Sequence, residues 1–308
     1  MVFRIVRHQP SADGTACRNG VAADDRGDGC HRLPTHTAFR PAAGTAASLT
    51  GVDAMPMLAV HLSIIQELVD ELGIDELQEH IGAALLGSTA PDRRVLTREP
   101  REETHFFNLT ESGTGEGFKG MKKALPGLVS RSPEDDWALT AFLIGYASHL
   151  AADEIWIVNV YRPFFEDDSY LGADPTKNIL DRAMQYELEV DIRGNREQLM
   201  EWQKQIIDSN GITDSVPDSL IAKSILRDWS EFVAGRVLTL PGTWAEFPRF
   251  ISRYLDDPNL DGGEVEQLMA DPEGMLDRVY ARIPRDIIQQ YRAITMNQSL
   301  RHAEEILA

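Results

Sequence analysis

The stretch from Trp137 to Tyr161 constrains the fold more than any other part of the chain. It contains no proline and a single glycine, and apolar residues fall on nearly every side of the helix that it predicts. We therefore expect this helix to run through the protein interior. His149, Asp153 and Glu154 lie in its middle, and the four-residue spacing of His149 and Asp153 places them on one face. A carboxylate inside an apolar helix is costly unless it is paired or binds a metal.

The rest of the chain beyond residue 54 also shows helical spacing of its apolar residues, with little strand-like alternation. We predict an all-α fold with a single helical domain over residues 55–308. Ser132 and Pro133 precede the central helix as its predicted N-cap and first position, and Pro163 is predicted to end it. The other predicted helices are Leu58–Leu72, Glu76–Leu86, Thr176–Ile192, Arg196–Ser209, Asp218–Val237, Trp244–Leu255, Gly262–Ala270 and Glu273–Leu307, the last with an interruption near Pro284.

Residues 1–54 differ from the remainder. They are rich in Gly, Ala, Arg, Asp and Thr and show no sustained period, so we interpret them as disordered. A second interpretation is upstream sequence translated from a wrongly assigned start, because Met55 and Met57 directly precede the first patterned helix. Both cysteines, Cys17 and Cys30, fall in this segment, so no disulfide framework is expected in the helical domain.

Charge and hydropathy limit the partners and the location. The formal net charge of -19 argues against a nucleic-acid-binding surface, which is normally basic. The longest uncharged run of the central helix, Trp137 to Ala152, has 16 residues, fewer than the roughly 20 that span a bilayer. The N-terminus lacks an apolar segment of the secretory type. We expect no transmembrane segment and a cytoplasmic location; the oligomeric state is left open.

Few residues beyond the N-terminal segment offer metal-binding chemistry. The histidines there are His61, His80, His105, His149 and His302. His80 and His302 are predicted to be solvated, and Glu154 to point to another face as a solvated or paired side chain. The residues alone leave His61 and His105 open between packing and ligation. Asp92, which follows Pro91, is open between a turn residue and a functional one.

Three motifs in order resemble the zinc-dependent phospholipase C family, which shares an all-helical fold with the single-strand-specific zinc nucleases. They are a histidine in the first helix (MLAVHLSII), a Gly-x-x-x-Pro-Asp loop followed by a short His segment (GSTAPD, then THFF), and the helix AFLIGYASHLAADEIW. The resemblance covers roughly residues 57–195.

The resemblance implies a ligand set. Asp92, His105, His149 and Asp153 match the ligands of one zinc ion, and His61 matches a ligand of a second, which Asp153 would share. The third zinc of the family needs another histidine after the helix Asp and a His-x-x-x-Glu pair downstream. Here residues 156–159 contain no histidine, and Ala183 stands where the second would be, although Glu187 is kept. We expect one zinc ion, with two as the alternative.

The implied activity is metal-assisted hydrolysis of a small-molecule or lipid phosphodiester by a metal-bound hydroxide. Asp92 would be both a ligand and the candidate base, and Arg93 and Arg94 are candidates for holding a phosphate or are solvated surface. Two alternatives stay open: a non-catalytic helical protein with one structural metal site, and an unrelated helical scaffold.

Overall fold

The computed structural model describes residues 58–108, 113–209, 211–255 and 260–308. Within these ranges the chain is helical and contains no strand, which confirms the predicted all-α class. The N-terminal segment 1–54, with both cysteines and its histidines, lies outside the described residues.

The α-helices, in chain order, are α1 (Leu58–Leu72), α2 (Asp75–Glu79), α3 (Ile81–Thr89), α4 (Arg94–Thr97), α5 (Arg101–His105), α6 (Glu116–Ala124), α7 (Pro126–Val129), α8 (Trp137–Trp156), α9 (Arg162–Phe165), α10 (Lys177–Arg193), α11 (Arg196–Asp208), α12 (Ile212–Ser215), α13 (Lys223–Phe232), α14 (Phe247–Phe250), α15 (Gly262–Ala270), α16 (Pro272–Tyr280) and α17 (Ile287–Leu307). Short 3₁₀ turns cover Ala90–Arg93, Pro133–Asp135, Trp244–Glu246 and Ser252–Tyr254, and π-helical turns cover Ile157–Tyr161 and Val233–Val237.

The central helix α8 packs most extensively against α3 and α17. Together with the π-turn and α9 it forms one helical segment, Trp137–Phe165, that is long and apolar enough to cross a membrane by length and composition. Within this segment, 83% of the most apolar 18-residue stretch is buried inside the protein. A helix in the core of a protein has the same properties.

The central helix joins two hydrophobic cores. Its residues up to Leu150 pack in a core shared with α1, α3, α11 and α13. Ala151, Ile155 and Trp156 pack in a second core with α10, α16 and α17, while Ala152 packs against Val60 and Ile64 of α1. His149 and Asp153 therefore lie where the helix passes from one core to the other.

Glycines set the close crossing of α3 and α8. A Cβ on Gly87 would lie 2.1 Å from the Phe142 carbonyl oxygen, and one on Gly145 would lie 2.0 Å from the Ala84 carbonyl oxygen. The predicted end of the second helix at Leu86, just before Gly87, is wrong. The observed helix α3 continues to Thr89 because Gly87 is needed for close packing rather than for a turn.

Two predictions about the ends of the central helix are also wrong. The N-cap is Asp136, whose side chain accepts a hydrogen bond from the Leu139 amide at 3.0 Å, because Ser132 starts a separate 3₁₀ turn. Pro163 does not end the helix, which continues to Phe165. A proline removes one helical hydrogen bond and crowds the preceding turn, and the wider π-turn of Ile157–Tyr161 accommodates both effects.

Two further predicted helices are divided in the structure, and a third is divided where the sequence predicts. The helix predicted over 76–86 is divided at His80, which is half-buried between α2 and α3. The segment 244–255 forms three short turns instead of one helix. The segment 273–307 is divided between Tyr280 and Ile287, around Pro284, as predicted.

The prediction that His302 is solvated is wrong. Its side chain is 3% exposed and stacks on Phe118 with ring centroids 4.3 Å apart. The Gln298 amide nitrogen lies 2.6 Å from Nε2 of His302. Burial lowers the pKa of His302 to about 4, so this histidine is neutral in the folded protein at neutral pH.

We predict that Gly145→Ala destabilises the protein by about 3 kcal/mol or more, because the added methyl group overlaps the α3 backbone and forces the two helices apart. Gly235→Ala is the matched control. It lies in a helical turn with no atom near an added Cβ and should be neutral or stabilising by about 0.5 kcal/mol. Urea unfolding measures both; equal stability of the two variants would contradict the crossing geometry.

We predict that His302 makes folding less favourable as the pH falls from 6.5 towards 4. Its folded pKa lies below the value of 6.5 for the free side chain, so the unfolded chain binds the proton more tightly in that window. The contribution of His302 to the free energy of unfolding then decreases by about 1.4 kcal/mol for each pH unit below 6.5. Unfolding of wild type and His302→Gln at pH 7 and pH 5 tests this. The variant should lose about 2 kcal/mol less than wild type, and parallel losses would contradict it.

Candidate metal centre

Five side chains predicted as ligands meet at the junction of the two cores. We call them the centre: His61 from α1, Asp92 from the 3₁₀ turn after α3, His105 at the end of α5, and His149 and Asp153 from α8. The histidines and Asp92 are at most 4% exposed, whereas the Asp153 side chain is 22% exposed. Two groups of three have ligand atoms within 4.8 Å of one another: His61, His149 and Asp153, and Asp92, His105 and His149.

Hydrogen bonds orient two histidines. Nδ1 of His149 lies 2.8 Å from the Ser88 carbonyl oxygen, which can only accept, so Nδ1 carries the proton. Nδ1 of His105 lies 2.8 Å from the Thr104 hydroxyl, which also lies 3.2 Å from the Arg101 carbonyl oxygen. When the hydroxyl donates to that carbonyl, it accepts from Nδ1 of His105, and Nε2 of both rings then offers a lone pair to the centre.

The Nε2 atoms of His105 and His149 lie 3.3 Å apart. Asp153 Oδ2 lies 3.3 Å from the first nitrogen and 3.8 Å from the second. When both rings carry their proton on Nδ1, lone pairs converge here and repel one another unless a cation lies between them.

Asp92 completes the set of acceptors. Its Oδ1 lies 3.6 Å from Nε2 of His105, and its Oδ2 lies 3.9 Å from Nε2 of His149. The buried Oδ2 has no hydrogen-bond partner among the described residues. Such an atom normally has one. Two imidazoles and two carboxylates are a donor set suited to tetrahedral zinc, so these residues fit a bound zinc ion.

The ionisation states also suit metal binding. Burial, as the largest cause, lowers the pKa values of His61 and His149 to about 3, so both rings are neutral at pH 7. Burial acts to raise the pKa of the Asp153 carboxyl, but the charge of Arg101 helps to hold it well below its usual range. Neutral imidazoles and ionised carboxylates are the forms that bind metals.

His61 has a different environment from the other histidines. Its ring stacks on His149 with centroids 3.9 Å apart, and its Nε2 lies 3.5 Å from Asp153 Oδ1. Nδ1 is buried without a hydrogen-bond partner among the described residues. Because His149 offers only Nε2, the two groups of three compete for one nitrogen atom.

Arg101 was not predicted as a site residue, although its side chain contacts the centre. Its Nη2 is 2.5 Å from Asp153 Oδ2, and its guanidinium lies 5.1 Å from the centroid of the Phe107 ring. The available signal was its position four residues before His105, which puts the two on one helix face.

The prediction that Arg93 holds a phosphate is not supported by its surroundings. The side chain is 3% exposed and contacts Glu99 at 3.1 Å, the Tyr146 hydroxyl at 3.2 Å and the Leu220 carbonyl at 3.3 Å. It therefore acts as a structural cation. Arg94 is half-buried at the start of α4.

Glu154 was predicted to be either solvated or paired. It is paired, and its side chain is buried. Its carboxylate oxygens accept hydrogen bonds of 2.5 Å from the amides of Gly115 and Gly117, and burial raises its pKa. Glu187, which the resemblance aligned with a third zinc, accepts a hydrogen bond from the Tyr280 hydroxyl instead.

The chain matches one family of known proteins. The family model described as zinc dependent phospholipase C matches residues 60–222, which is more than half of the 308 residues and includes the whole centre. Searches of curated proteins and of solved structures each gave no match. The family match agrees with the motifs, the all-α fold and the imidazole and carboxylate donors, and the chain belongs to the zinc-dependent phospholipase C family.

Proposed function

We propose that this protein is a zinc-dependent hydrolase of a lipid phosphodiester, with one zinc ion held by Asp92, His105, His149 and Asp153. The observation that carries the proposal is the buried meeting of two imidazole Nε2 atoms with two carboxylates, one of which has an oxygen without a hydrogen-bond partner among the described residues. Family membership supports the phosphodiester substrate. The cytoplasmic location stays a prediction.

The ligand count favours one ion. A single imidazole nitrogen binds one metal ion, and the second nitrogen of His149 is occupied by the Ser88 carbonyl. If His149 binds an ion together with Asp92 and His105, the other group retains only His61 and Asp153. Zinc sites in proteins use three or four protein ligands, so this pair is too small for a second tight site.

When bound, zinc lowers the pKa of a coordinated water and offsets negative charge on a phosphoryl oxygen. The chain contributes the positioning. Ser88 and Thr104 hold the two rings in the orientation in which Nε2 faces the centre. Asp92 Oδ2 is placed to accept a proton from water entering the centre. Asp153, as the most exposed member of the centre, marks the side from which solvent and substrate enter.

The number of protein ligands favours the second candidate, a structural zinc without hydrolysis, because structural zinc sites are filled by four protein ligands whereas catalytic sites keep one position for water or substrate. The two functions differ in whether a substrate reaches the ion. Zinc content alone does not separate them, but activity does.

We predict that untagged protein purified without chelator contains zinc and hydrolyses phosphatidylcholine vesicles or bis(4-nitrophenyl) phosphate. Asp92→Asn should reduce kcat by about 10²- to 10⁴-fold through loss of the base. Glu102→Gln, the same chemical change at an exposed position of α5, should leave kcat unchanged. Zinc without hydrolysis would favour the structural site, and absence of zinc would contradict both functions.

We predict that Thr104→Val weakens zinc binding by about 10- to 100-fold, because the buried hydroxyl that orients His105 is lost. Thr104→Ser keeps the hydroxyl and should retain most of the affinity. Competition with a chromophoric chelator measures both dissociation constants. Equal affinities of the valine and serine variants would show that the tautomer of His105 is set by another group.

A further inference from the structure

Arg101 brings a permanent positive charge into a centre that is otherwise built from imidazole rings and carboxylates. Its guanidinium contacts Asp153 Oδ2 at 2.5 Å, with side-chain exposures of only 20% and 22%. An arginine keeps its proton under all conditions in which the protein is folded. Asp153 is therefore neutralised whether or not a metal is bound.

The position of Arg101 is fixed on two sides. It lies one turn before His105 in α5, so the same short helix supplies both groups. Its guanidinium rests over the face of Phe107 at 5.1 Å, and Phe107 in turn packs edge-on against His105 with centroids 6.2 Å apart. A planar cation held between an aromatic ring and a carboxylate has little freedom to leave.

The contact engages Asp153, which is a ligand of the proposed zinc site and the only carboxylate in the group of three that contains His61. Asp153 Oδ2 faces Arg101 and His105, whereas Oδ1 faces His61 at 3.5 Å. A second cation at His61 and Asp153 would thus lie beside a fixed guanidinium. Repulsion between like charges at such short range is strong in a partly buried site.

We propose that Arg101 is a positioning residue that takes the place of a second metal ion. It neutralises Asp153, holds its Oδ2 towards the zinc-binding nitrogens, and prevents a cation from binding at His61 and Asp153. The charges support this. Asp92, Asp153 and Arg101 sum to −1 without metal, so one divalent ion brings the centre to +1 and two would bring it to +3. This inference rests on the proposed zinc site and explains its single-ion composition.

Zinc stoichiometry tests the inference directly. Equilibrium dialysis against a series of zinc concentrations, with metal analysis, should give one ion for wild type and a second, weaker ion for Arg101→Ala. Arg101→Lys, which keeps the charge, should stay at one. The double variant Arg101→Ala/His61→Ala should return to one, because the second ion then lacks its imidazole. Arg227→Ala, an exposed arginine on α13, serves as the control.

The possible outcomes separate this inference from the proposed function. One zinc ion in wild type and in Arg101→Ala would overturn the inference and leave the zinc site intact, as would two ions in wild type. No zinc in any of the proteins would overturn both.

A double-mutant cycle on the metal-free protein gives a second measurement. Arg101→Gln, chosen because it keeps the length of the side chain, should lower the Tm when Asp153 is present and change it little in an Asp153→Asn background. An equal loss of Tm in both backgrounds would show that Arg101 acts through packing on Phe107 alone and would overturn the inference.

Discussion

The structure depends on a buried cluster of possible metal ligands whose charge the protein offsets only in part, through Arg101. Two imidazole nitrogens lie 3.3 Å apart, with carboxylate oxygens of Asp92 and Asp153 beside them. In the unfolded chain these groups are hydrated and distant from one another. Folding brings them together where solvation is poor. A bound cation converts this unfavourable cluster into a favourable one, so metal binding and folding are expected to be coupled.

The helical framework serves this cluster through close backbone approach. Gly87 and Gly145 allow α3 to cross α8 at a short distance. The same approach carries the Ser88 carbonyl to Nδ1 of His149 and sets the direction in which the chain leaves α3 towards Asp92. The helix crossing is therefore also the element that orients the metal-binding ring. A shift of this crossing would disturb the centre without altering any ligand.

The fold class and the pairing of His149 with Asp153 were predictable because both follow from helical periodicity in a buried segment. The residues alone left Asp92 and His105 open between a structural and a functional role, and the family resemblance favoured the functional one, since their local sequences resemble ordinary turn and packing residues. Whether the five residues bind a metal stays a prediction. Arg101 and His302 were missed or misjudged for a common reason. Their environments are made by residues distant in sequence, Asp153 and Phe118, and no local pattern reports such a contact.

The π-turn at Ile157–Tyr161 limits how many metal ligands the central helix could supply. Such a turn accommodates one residue more than an α-helical turn does, and one residue corresponds to about 100° of rotation around the helix axis. Side chains beyond Trp156 are thus rotated away from the face that carries His149 and Asp153. The family resemblance implies a further zinc-binding histidine in the stretch that begins at this change of register. Building a larger metal cluster here would require a deletion that restores the helical phase as well as a new histidine.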